Sequence, residues 1–429
     1  MRVLWLCNIM LPAYAIAHDL PYSVREGWLT GCLNRIKEQK KDDEKITLAV
    51  CFPAEGSIAS SSEEIDGITY YGFREDLNHP EIYDGTVENR FHVILDDFKP
   101  DVVHIFGTEF PHTLAMIRAF GNPGRVLLGI QGVCSVIARE YMADIPEEVQ
   151  RTVTLRDRLK DDSIMQQQEK YKIRGEHERE AIMLAGNITG RTSFDKSEIE
   201  KINPEARYYH MNETMRPCFY MGKWSEKKAE PHTIFLSQGD YPLKGFHFVL
   251  NAMPKILEKY PDAHLYVAGN NIIGKGESKY PYFMRASAYG KYIKSLISKG
   301  HLKKKVTMVG MLTDQEMKER FLKCSIFVCP SVIENSPNSL GEAMLLGVPI
   351  AASRIGGIPD MVSENKDGVL FEKGNVDDIA RAILQIWDEP VIAAVYGDNA
   401  AAHARITHNA DTNFKRLIEI YKDIDDRQG

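Results

Sequence analysis

The chain has 429 residues, which is too long for a single hydrophobic core and predicts two domains. Hydrophobic residues make up 44% of it and charged residues 26%, the balance of an ordinary globular protein. The net charge of −7 argues against a nucleic-acid-binding surface as its main role. The seven cysteines are scattered without C-x-x-C spacing, so they indicate neither a disulfide framework nor a zinc site and fit a reducing cytoplasm.

The N-terminal segment imitates a secretory signal, because an apolar run is followed by small residues at 15–17. Asn8 and Pro12 interrupt that run, however, and we interpret residues 2–7 as the first buried strand of a sheet. No apolar run approaches the roughly 20 residues that a membrane-spanning helix needs.

The first half of the chain alternates short apolar segments with helical patterns, such as those at 28–37 and 112–120. Such alternation predicts a parallel, doubly wound α/β sheet. Residues 136–184 break this rhythm with a charged, helix-favouring insert, which either shapes an acceptor site or forms a solvated helical pair. The predicted strands are 2–7, 46–51, 68–72, 102–105, 125–130, 187–190 and 206–210.

The second half repeats the plan after a polar segment at 225–231, which we interpret as a linker. Helical patterns at 246–259, 282–298 and 314–323 separate its apolar segments. The predicted strands are 233–237, 264–268, 306–309, 326–329, 350–353 and 369–371.

Two acids stand out in the stretch 331–360, which has a strand–loop–helix–strand pattern. Glu334 lies in the loop, and Glu342 follows eight residues later on the helix. Open α/β sheets bind ligands at the carboxyl ends of their strands, so both acids are candidate ligand contacts. Ser339-x-x-Glu342 also matches a capping box, in which Glu342 would only satisfy the start of the helix.

The two acids, followed by Gly347-Val348-Pro349 and Gly356-Gly357, resemble the E-x7-E signature of retaining glycosyltransferases of family 4. The resemblance implies two Rossmann-like domains facing across a cleft, the glycosyltransferase B fold. We expect an acceptor-side domain at 1–224, a donor-binding domain at 225–410 and a last helix at 411–429 that packs back on the first domain. By resemblance Glu334 contacts the hydroxyls of the donor sugar, and Glu342 contacts the nucleotide ribose.

The loop at 236–245 is the predicted phosphate site. Lys244 lies near a helix start, where a cation stabilises a departing diphosphate. Related enzymes carry Gly-Arg at the start of this loop, whereas this chain has Ser237-Gln238, and Gln238 brings no charge. The candidate substitutes for the missing charge are Arg354, Arg216 and Arg191.

Further donor contacts follow from the resemblance. Residues 308–311 correspond to the family's base-binding position, for which uridine is the favoured base. Glycine turns bring backbone N–H groups close to anionic oxygens. The remaining candidates for donor binding are Gly27, Met308, Gly310, Met311, Ser339, Leu340, Gly356 and Gly357.

On the acceptor side, Gln131 stands where family members often carry a His close to the reacting sugar. It is a candidate catalytic residue that hydrogen-bonds but takes no proton. Under the family's proposed mechanism the leaving phosphate deprotonates the acceptor, so a protein base is dispensable. His104, Glu109 and His112 are candidate lining of the acceptor pocket, and the alternative for His104 is a core histidine.

The sequence therefore predicts a cytoplasmic, retaining hexosyltransferase that moves a sugar from a nucleotide diphosphate sugar, with UDP favoured, to an acceptor hydroxyl. The expected acceptor is a saccharide or lipid-linked saccharide in surface polysaccharide or glycolipid synthesis, with contact to the inner membrane face left open. No D-x-D lies near either strand set, so we expect no required metal and no further cofactor. The alternatives are a nucleotide-sugar epimerase on the same fold and a weakly active scaffold in a synthesis complex.

Overall fold

The computed structural model describes residues 1–21, 27–38, 46–274 and 282–427. It divides the chain into two compact units. Unit 1 comprises Met1–Ala138, Lys170–Arg216 and His408–Gly429, and unit 2 comprises Arg139–Glu169 and Pro217–Thr407.

The strands, in chain order, are β1 (Arg2–Leu6), β2 (Thr47–Pro53), β3 (Ser62–Ile65), β4 (Ile68–Phe73), β5 (Val102–Phe106), β6 (Val126–Gly129), β7 (Asn187–Gly190), β8 (Arg207–His210), β9 (Thr233–Leu236), β10 (His264–Ala268), β11 (Val306–Gly310), β12 (Ile326–Cys329), β13 (Ile350–Ser353) and β14 (Val369–Phe371). The α-helices are α1 (Pro12–Ala17), α2 (Gly27–Lys37), α3 (Thr86–Phe98), α4 (His112–Phe120), α5 (Cys134–Glu140), α6 (Glu147–Arg151), α7 (Leu155–Lys160), α8 (Ile164–Leu184), α9 (Ser193–Ile202), α10 (Phe246–Lys259), α11 (Tyr282–Arg285), α12 (Ala288–Lys299), α13 (Asp314–Lys323), α14 (Asn338–Leu346), α15 (Ile358–Met361), α16 (Val376–Asp388), α17 (Pro390–Thr407) and α18 (Ala410–Asp426).

Unit 1 is built on one sheet with the strand order β3-β4-β2-β1-β5-β6-β7-β8. All its pairings are parallel except that of β3 with β4. The central strands are buried along nearly their whole length, since helices cover parallel sheets on both faces. The sequence analysis missed β3, because its Ser-Glu-Glu-Ile segment is polar and largely exposed.

The last helix, α18, covers part of the unit 1 core. Leu417, Ile420, Tyr421 and Ile424 on this helix are buried in a cluster with residues of β1, β2 and β4. Because its apolar side chains recur at helical spacing, α18 presents one buried stripe to the sheet.

Unit 2 is built on a parallel sheet with the order β11-β10-β9-β12-β13-β14. Its six strands are those that the sequence predicted, so the predicted α/β class with two doubly wound sheets is confirmed. Strand order reverses between β9 and β12, and loops at such a point diverge and leave room for a ligand. The loops after β9 and β12 carry Lys244 and Glu334.

The structure divides the chain differently from the predicted domains 1–224 and 225–410. The boundary between the units falls after Arg216, and residues 139–169 lie with unit 2 rather than with the first domain. Contacts within unit 2 account for this placement. Lys373 Nζ donates to Glu140 Oε2 at 2.6 Å, and His247 Nε2 lies 2.8 Å from Ala143 O.

One predicted helix, 282–298, is two helices in the structure. Ser287 separates α11 from α12, and its Oγ accepts a hydrogen bond from Gly290 N at 3.0 Å as the N-cap of α12. The sequence analysis also left α16 and α17 unassigned. Within the described ranges, no helix is both long and apolar enough to cross a membrane.

Candidate functional site

The loops that follow β9 and β12 pack against each other through their main chains. A Cβ at Gly245 would lie 1.9 Å from Pro330 O, and Gly245 itself has φ +66°. Val332 N donates to Leu243 O at 2.9 Å. Only glycine fits this close approach, which brings Lys244 beside the start of the loop that carries Glu334.

Lys244 and Glu334 form an ion pair at this edge of the unit 2 sheet. Lys244 Nζ donates to Glu334 Oε1, and Ser331 Oγ donates to the same oxygen at 2.8 Å. Both side chains are largely buried, with 22% and 14% exposed. Burial is the largest single effect and acts to lower the pKa of Lys244, but the charge and hydrogen bond of Glu334, together with Tyr241 and Cys329, outweigh it, so the net pKa is raised. Lys244 is therefore a cation at neutral pH.

The predicted glycine pair supports the main chain of Glu334. Gly356 has φ +48°, and a Cβ there would lie 1.9 Å from Glu334 O. Gly357 N donates to the same oxygen at 3.1 Å. In the structure this pair fixes the loop of Glu334, and the Gly357 N–H is already used by the protein.

Glu342 lies inside α14 rather than in a capping box. The helix begins at Asn338 with Pro337 as its N-cap, and no side chain caps it. Ser339 is therefore the second helical residue and Glu342 the fifth, so the capping-box alternative is wrong. Glu342 is 3% exposed, and a carboxylate so deeply buried is costly unless it is paired.

The other predicted donor-binding residues of unit 2 lie along the same sheet edge. Gly310 ends β11 with φ +82°, and its carbonyl accepts from Gly269 N at 3.0 Å. Met308 lies within β11, and Met311 follows it with 56% of its surface exposed. Gln238 is half-buried just after β9. Leu340 is fully buried in the first turn of α14 and presents no exposed surface to a ligand.

One predicted site residue of unit 1, Gln131, lies in a polar cluster with Arg191 and Glu213. Gln131 Nε2 donates to Glu213 Oε1 at 2.8 Å, while an Arg191 N–H donates to Gln131 Oε1 at 3.2 Å. Arg191 and Glu213 also form an ion pair. Burial raises the pKa of Glu213, and the charge of Arg191 acts against that rise. Arg191, considered as a substitute phosphate contact, is thus already paired within unit 1.

Sequence reasoning assigned no role to Glu213, although it anchors both Gln131 and Arg191. Its signal in the sequence is the polar pair Asn212-Glu213 before the end of the first half. Gln131 and Glu213 are 82 positions apart, so no local pattern connects them.

The two histidines are engaged inside unit 1. His104 is fully buried, its Nδ1 lies 2.7 Å from Tyr421 Oη, and burial lowers its pKa to about 3. This placement favours the core alternative for His104. The ring nitrogens of His112 lie 2.5 Å from Glu75 Oε2 and 2.9 Å from Asn8 Oδ1.

Three further predicted residues are Glu109, Gly27 and Arg354. Glu109 Oε1 accepts from Gly132 N at 2.9 Å, which places it next to the Gln131 loop. Gly27 is the first residue of α2, and the residues just before it lie outside the described part of the chain. Arg354 forms exposed ion pairs with Glu364 and Glu372.

Among the described residues, no group of three or more His, Cys, Asp or Glu side chains could hold a metal ion.

The unit 2 site lies inside a segment of the chain that matches a family model. Residues 221–403 match the family model "Glycosyl transferases group 1". An uncharacterized glycosyltransferase of Methanocaldococcus jannaschii is 25% identical over 193 residues, which cover 45% of each chain. The amylovoran biosynthesis glycosyltransferase AmsK of Erwinia amylovora is 29% identical over 136 residues, 30% of this chain and 33% of AmsK. The chain thus spans less than half the length of these two relatives.

Solved structures resemble nearly the whole chain. Sucrose-phosphate synthase from Thermosynechococcus elongatus has a TM-score of 0.68 at 13% identity and covers 99% of both chains. HepE from Anabaena, in complex with UDP, has a TM-score of 0.64 at 14% identity over 99% of this chain and all of HepE. WaaG, a glycosyltransferase involved in lipopolysaccharide biosynthesis, has a TM-score of 0.65 at 12% identity, with 98% of this chain and 99% of WaaG covered. At such identities the likeness shows the fold, which is glycosyltransferase B.

Proposed function

We propose that this chain is a retaining glycosyltransferase that uses a nucleotide diphosphate sugar, with a uridine nucleotide favoured. The observation that carries the proposal is the buried Lys244–Glu334 pair at the point where strand order reverses in unit 2. It lies within the segment 221–403 that matches the family model. A complex of the structural neighbour HepE with UDP-glucose supports the choice of donor.

The two side chains of this pair are suited to contact different parts of a donor. Lys244 carries the positive charge that a departing diphosphate needs, and Glu334 offers carboxylate oxygens to sugar hydroxyls. Without ligand the two groups neutralise each other, which keeps both positioned. Glu342, buried in α14 at the same edge, is the proposed contact for the ribose.

The proposed reaction forms one bond and breaks one. The acceptor oxygen bonds to the anomeric carbon while the bond from that carbon to the β-phosphate oxygen breaks. The acceptor proton passes to the leaving phosphate oxygen on the same face, so configuration is retained. Lys244 stabilises the negative charge that gathers on the diphosphate, and we propose that no metal is required.

The proposed acceptor is a saccharide or lipid-linked saccharide in surface polysaccharide or glycolipid synthesis. The roles of AmsK and WaaG, in amylovoran and lipopolysaccharide biosynthesis, support this class. We place the reaction in the cytoplasm, with contact at the inner membrane face as part of the proposal.

The test measures donor binding and transfer separately. UDP, UDP-glucose and GDP-mannose are added with a chelator to the wild-type chain, to Lys244→Met and to Lys255→Met. Lys255 is a matched control, since it pairs with Asp377 on the exposed side of α10. We expect uridine ligands to raise the melting temperature of wild type and control, and Lys244→Met to lose most of that shift, because ligand stabilises only the state that binds it.

Transfer is then followed by NMR with neutral saccharide acceptors, and the product is expected to keep the anomeric configuration of the donor. An equal shift in Lys244→Met and in the control would reject the proposed phosphate site. Donor binding without transfer to any acceptor would favour the scaffold alternative.

A further inference from the structure

A cavity that is distinct from the Lys244–Glu334 site lies wholly within unit 2. It has a volume of about 440 Å³ and is enclosed by residues of 139–169 on one side and by the loops after β9 and β10 on the other. Small-molecule sites commonly measure about 300–1,000 Å³, so the cavity has room for a ligand. We call it the insert pocket. Neither Glu334 nor Glu342 is among its lining residues.

The walls of the insert pocket are tied together by a buried carboxylate. Asp157 is 1% exposed, and its Oδ2 accepts from Thr154 N at 3.0 Å and from Ala288 N at 3.1 Å. The first bond belongs to the capping box of α7, and the second joins α7 to the start of α12. The pocket is therefore preformed, because both of its sides are hydrogen-bonded to the same buried carboxylate, that of Asp157.

The charges that line the pocket are balanced. Arg156 pairs with Asp162 and lies 3.2 Å from Asp157 Oδ1, so one guanidinium faces two carboxylates and this part of the wall keeps one negative charge. The remaining ionic side chains have both signs, Lys160 and Arg285 against Asp240. A ligand with a strong net charge would be attracted by some of these groups and repelled by others. The lining therefore favours a neutral ligand.

Polar groups remain for such a ligand. Asp240 Oδ2 accepts from Asn270 Nδ2 at 2.6 Å, while its Oδ1 is buried and has no hydrogen-bond partner among the described residues. Gln167 lines the pocket from the insert side and adds an amide that both donates and accepts. Groups of this kind match hydroxyls, each of which also donates and accepts.

Three tyrosines, Tyr141, Tyr241 and Tyr289, also line the pocket. Tyr289 Oη lies 3.1 Å from His247 Nδ1, and burial raises the pKa of this phenol, so it stays protonated. Aromatic rings offer an apolar face with a polar edge. Rings together with amides and carboxylates suit a molecule that has C–H faces and a rim of hydroxyls, which is the chemistry of a sugar.

We propose that the insert pocket binds a neutral saccharide, as a second ligand site separate from the Lys244–Glu334 site. The two sites share one loop, since Tyr241 lines the pocket and its ring centroid lies 5.7 Å from Lys244 Nζ. The saccharide is either a distal part of the acceptor or a free sugar. The proposal goes beyond the proposed function, because binding here requires no transfer.

The test uses maltose, cellobiose and sucrose at millimolar concentrations, without nucleotide, and detects binding by saturation-transfer NMR and calorimetry. The pocket variant is Lys160→Ala with Gln167→Ala, and both side chains lie on the insert wall. The matched control is Lys299→Ala with Gln315→Ala, two exposed residues of unit 2 outside the pocket. We expect at least one disaccharide to bind, and the pocket variant to weaken it roughly threefold to tenfold while the control does not.

Three results would overturn the proposal. They are no binding by any of the disaccharides, equal binding by the pocket variant and the control, and inorganic phosphate binding with the same variant sensitivity in place of sugar. Because no nucleotide is present, failure of the proposed transfer reaction leaves this readout intact. In a transfer assay, a higher acceptor KM at unchanged kcat in the pocket variant would assign the sugar to the acceptor. An unchanged KM would assign it to a free saccharide.

Discussion

Glycines rather than charged residues fix the geometry of the candidate donor site. Gly245 lets the β9 loop approach Pro330 O, and Gly356 lets the turn after β13 approach Glu334 O. Each contact would place a Cβ 1.9 Å from a carbonyl oxygen, which no side chain tolerates without movement. Lys244 and Glu334 meet because their main chains are held this closely.

Gly356→Ala should therefore damage the site as well as the fold. The residue has φ +48°, and the new Cβ would push on Glu334 O, so we expect the loop of Glu334 to move and the UDP-induced thermal shift to fall. The matched control is Gly67→Ala, where φ is +75° but no atom of the described residues lies within 4 Å of the added Cβ. It should cost only the backbone strain of about 1 kcal/mol, with UDP binding kept.

Urea unfolding and the UDP thermal shift measure both effects. Equal destabilisation of the two variants, with UDP binding intact in both, would mean that the turn at Gly356 relaxes without disturbing Glu334.

At the scale of elements, α8 caps α5 through a buried acid. Glu178 is 1% exposed, and its carboxylate accepts from Thr108 Oγ1 at 2.6 Å, from Cys134 N at 3.0 Å and from Ser135 N at 3.3 Å. Burial raises its pKa from the ordinary value of 4.5 to about 7, although these hydrogen bonds act to lower it. The fold thus carries a carboxyl group that changes charge near neutral pH.

The sign of the resulting pH dependence follows from the raised pKa. Since the folded state holds this proton more tightly than the unfolded state, its contribution to stability is complete below pH 4.5 and is lost as pH rises through about 7. Glu178→Gln has no such proton. We expect the free energy of unfolding of wild type, minus that of Glu178→Gln, to fall between pH 5 and 8 by roughly 3 kcal/mol at most.

Urea unfolding at a series of pH values measures this difference. Glu180→Gln is the matched control, because this acid lies on the same helix but is 45% exposed beside Arg118. A difference curve for Glu178→Gln no steeper than that of the control would show that Glu178 is ionised in the folded protein throughout this range.

For the molecule as a whole, the C-terminal helix α18 completes a hydrophobic core that begins with the N-terminal strand β1. Tyr421 Oη on α18 accepts from Trp5 Nε1 at 2.8 Å and lies 2.7 Å from His104 Nδ1. Tyr421 and Trp5 are both fully buried and 416 positions apart in the sequence. Unit 1 therefore reaches its native packing only when the C-terminal helix has docked.

Tyr421→Phe keeps the ring but removes this shared hydroxyl. The Trp5 N–H would be left buried without an acceptor, so we expect unit 1 to lose about 1–3 kcal/mol of stability. Tyr260→Phe is the control, since its hydroxyl bonds Asp388 at the surface of unit 2. Calorimetry should show a lower melting temperature of unit 1 for Tyr421→Phe. The rise in the melting temperature of unit 2 on addition of UDP should be preserved. Equal melting of the two variants would contradict this role of the hydroxyl.

Most of the strand plan and the acids of the donor site can be predicted from the sequence. Central parallel strands are buried on both faces, so each appears as a short apolar run that can be found without knowing its neighbours. Glu334 and Glu342 belong to one local strand–loop–helix segment, and their spacing together with the glycine motifs that follow marked them. Exposed β3 lacked such a run and was missed.

The tertiary structure determines which polar groups contact each other. Lys244 contacts Glu334 across 90 positions of sequence, and Gln131 contacts Glu213 across 82. It likewise decided that residues 139–169 pack on unit 2 and close the insert pocket, where Asp157 joins Ala288. Burial periodicity is a property of each segment, whereas hydrogen bonds and ion pairs between distant segments depend on how the whole chain is packed.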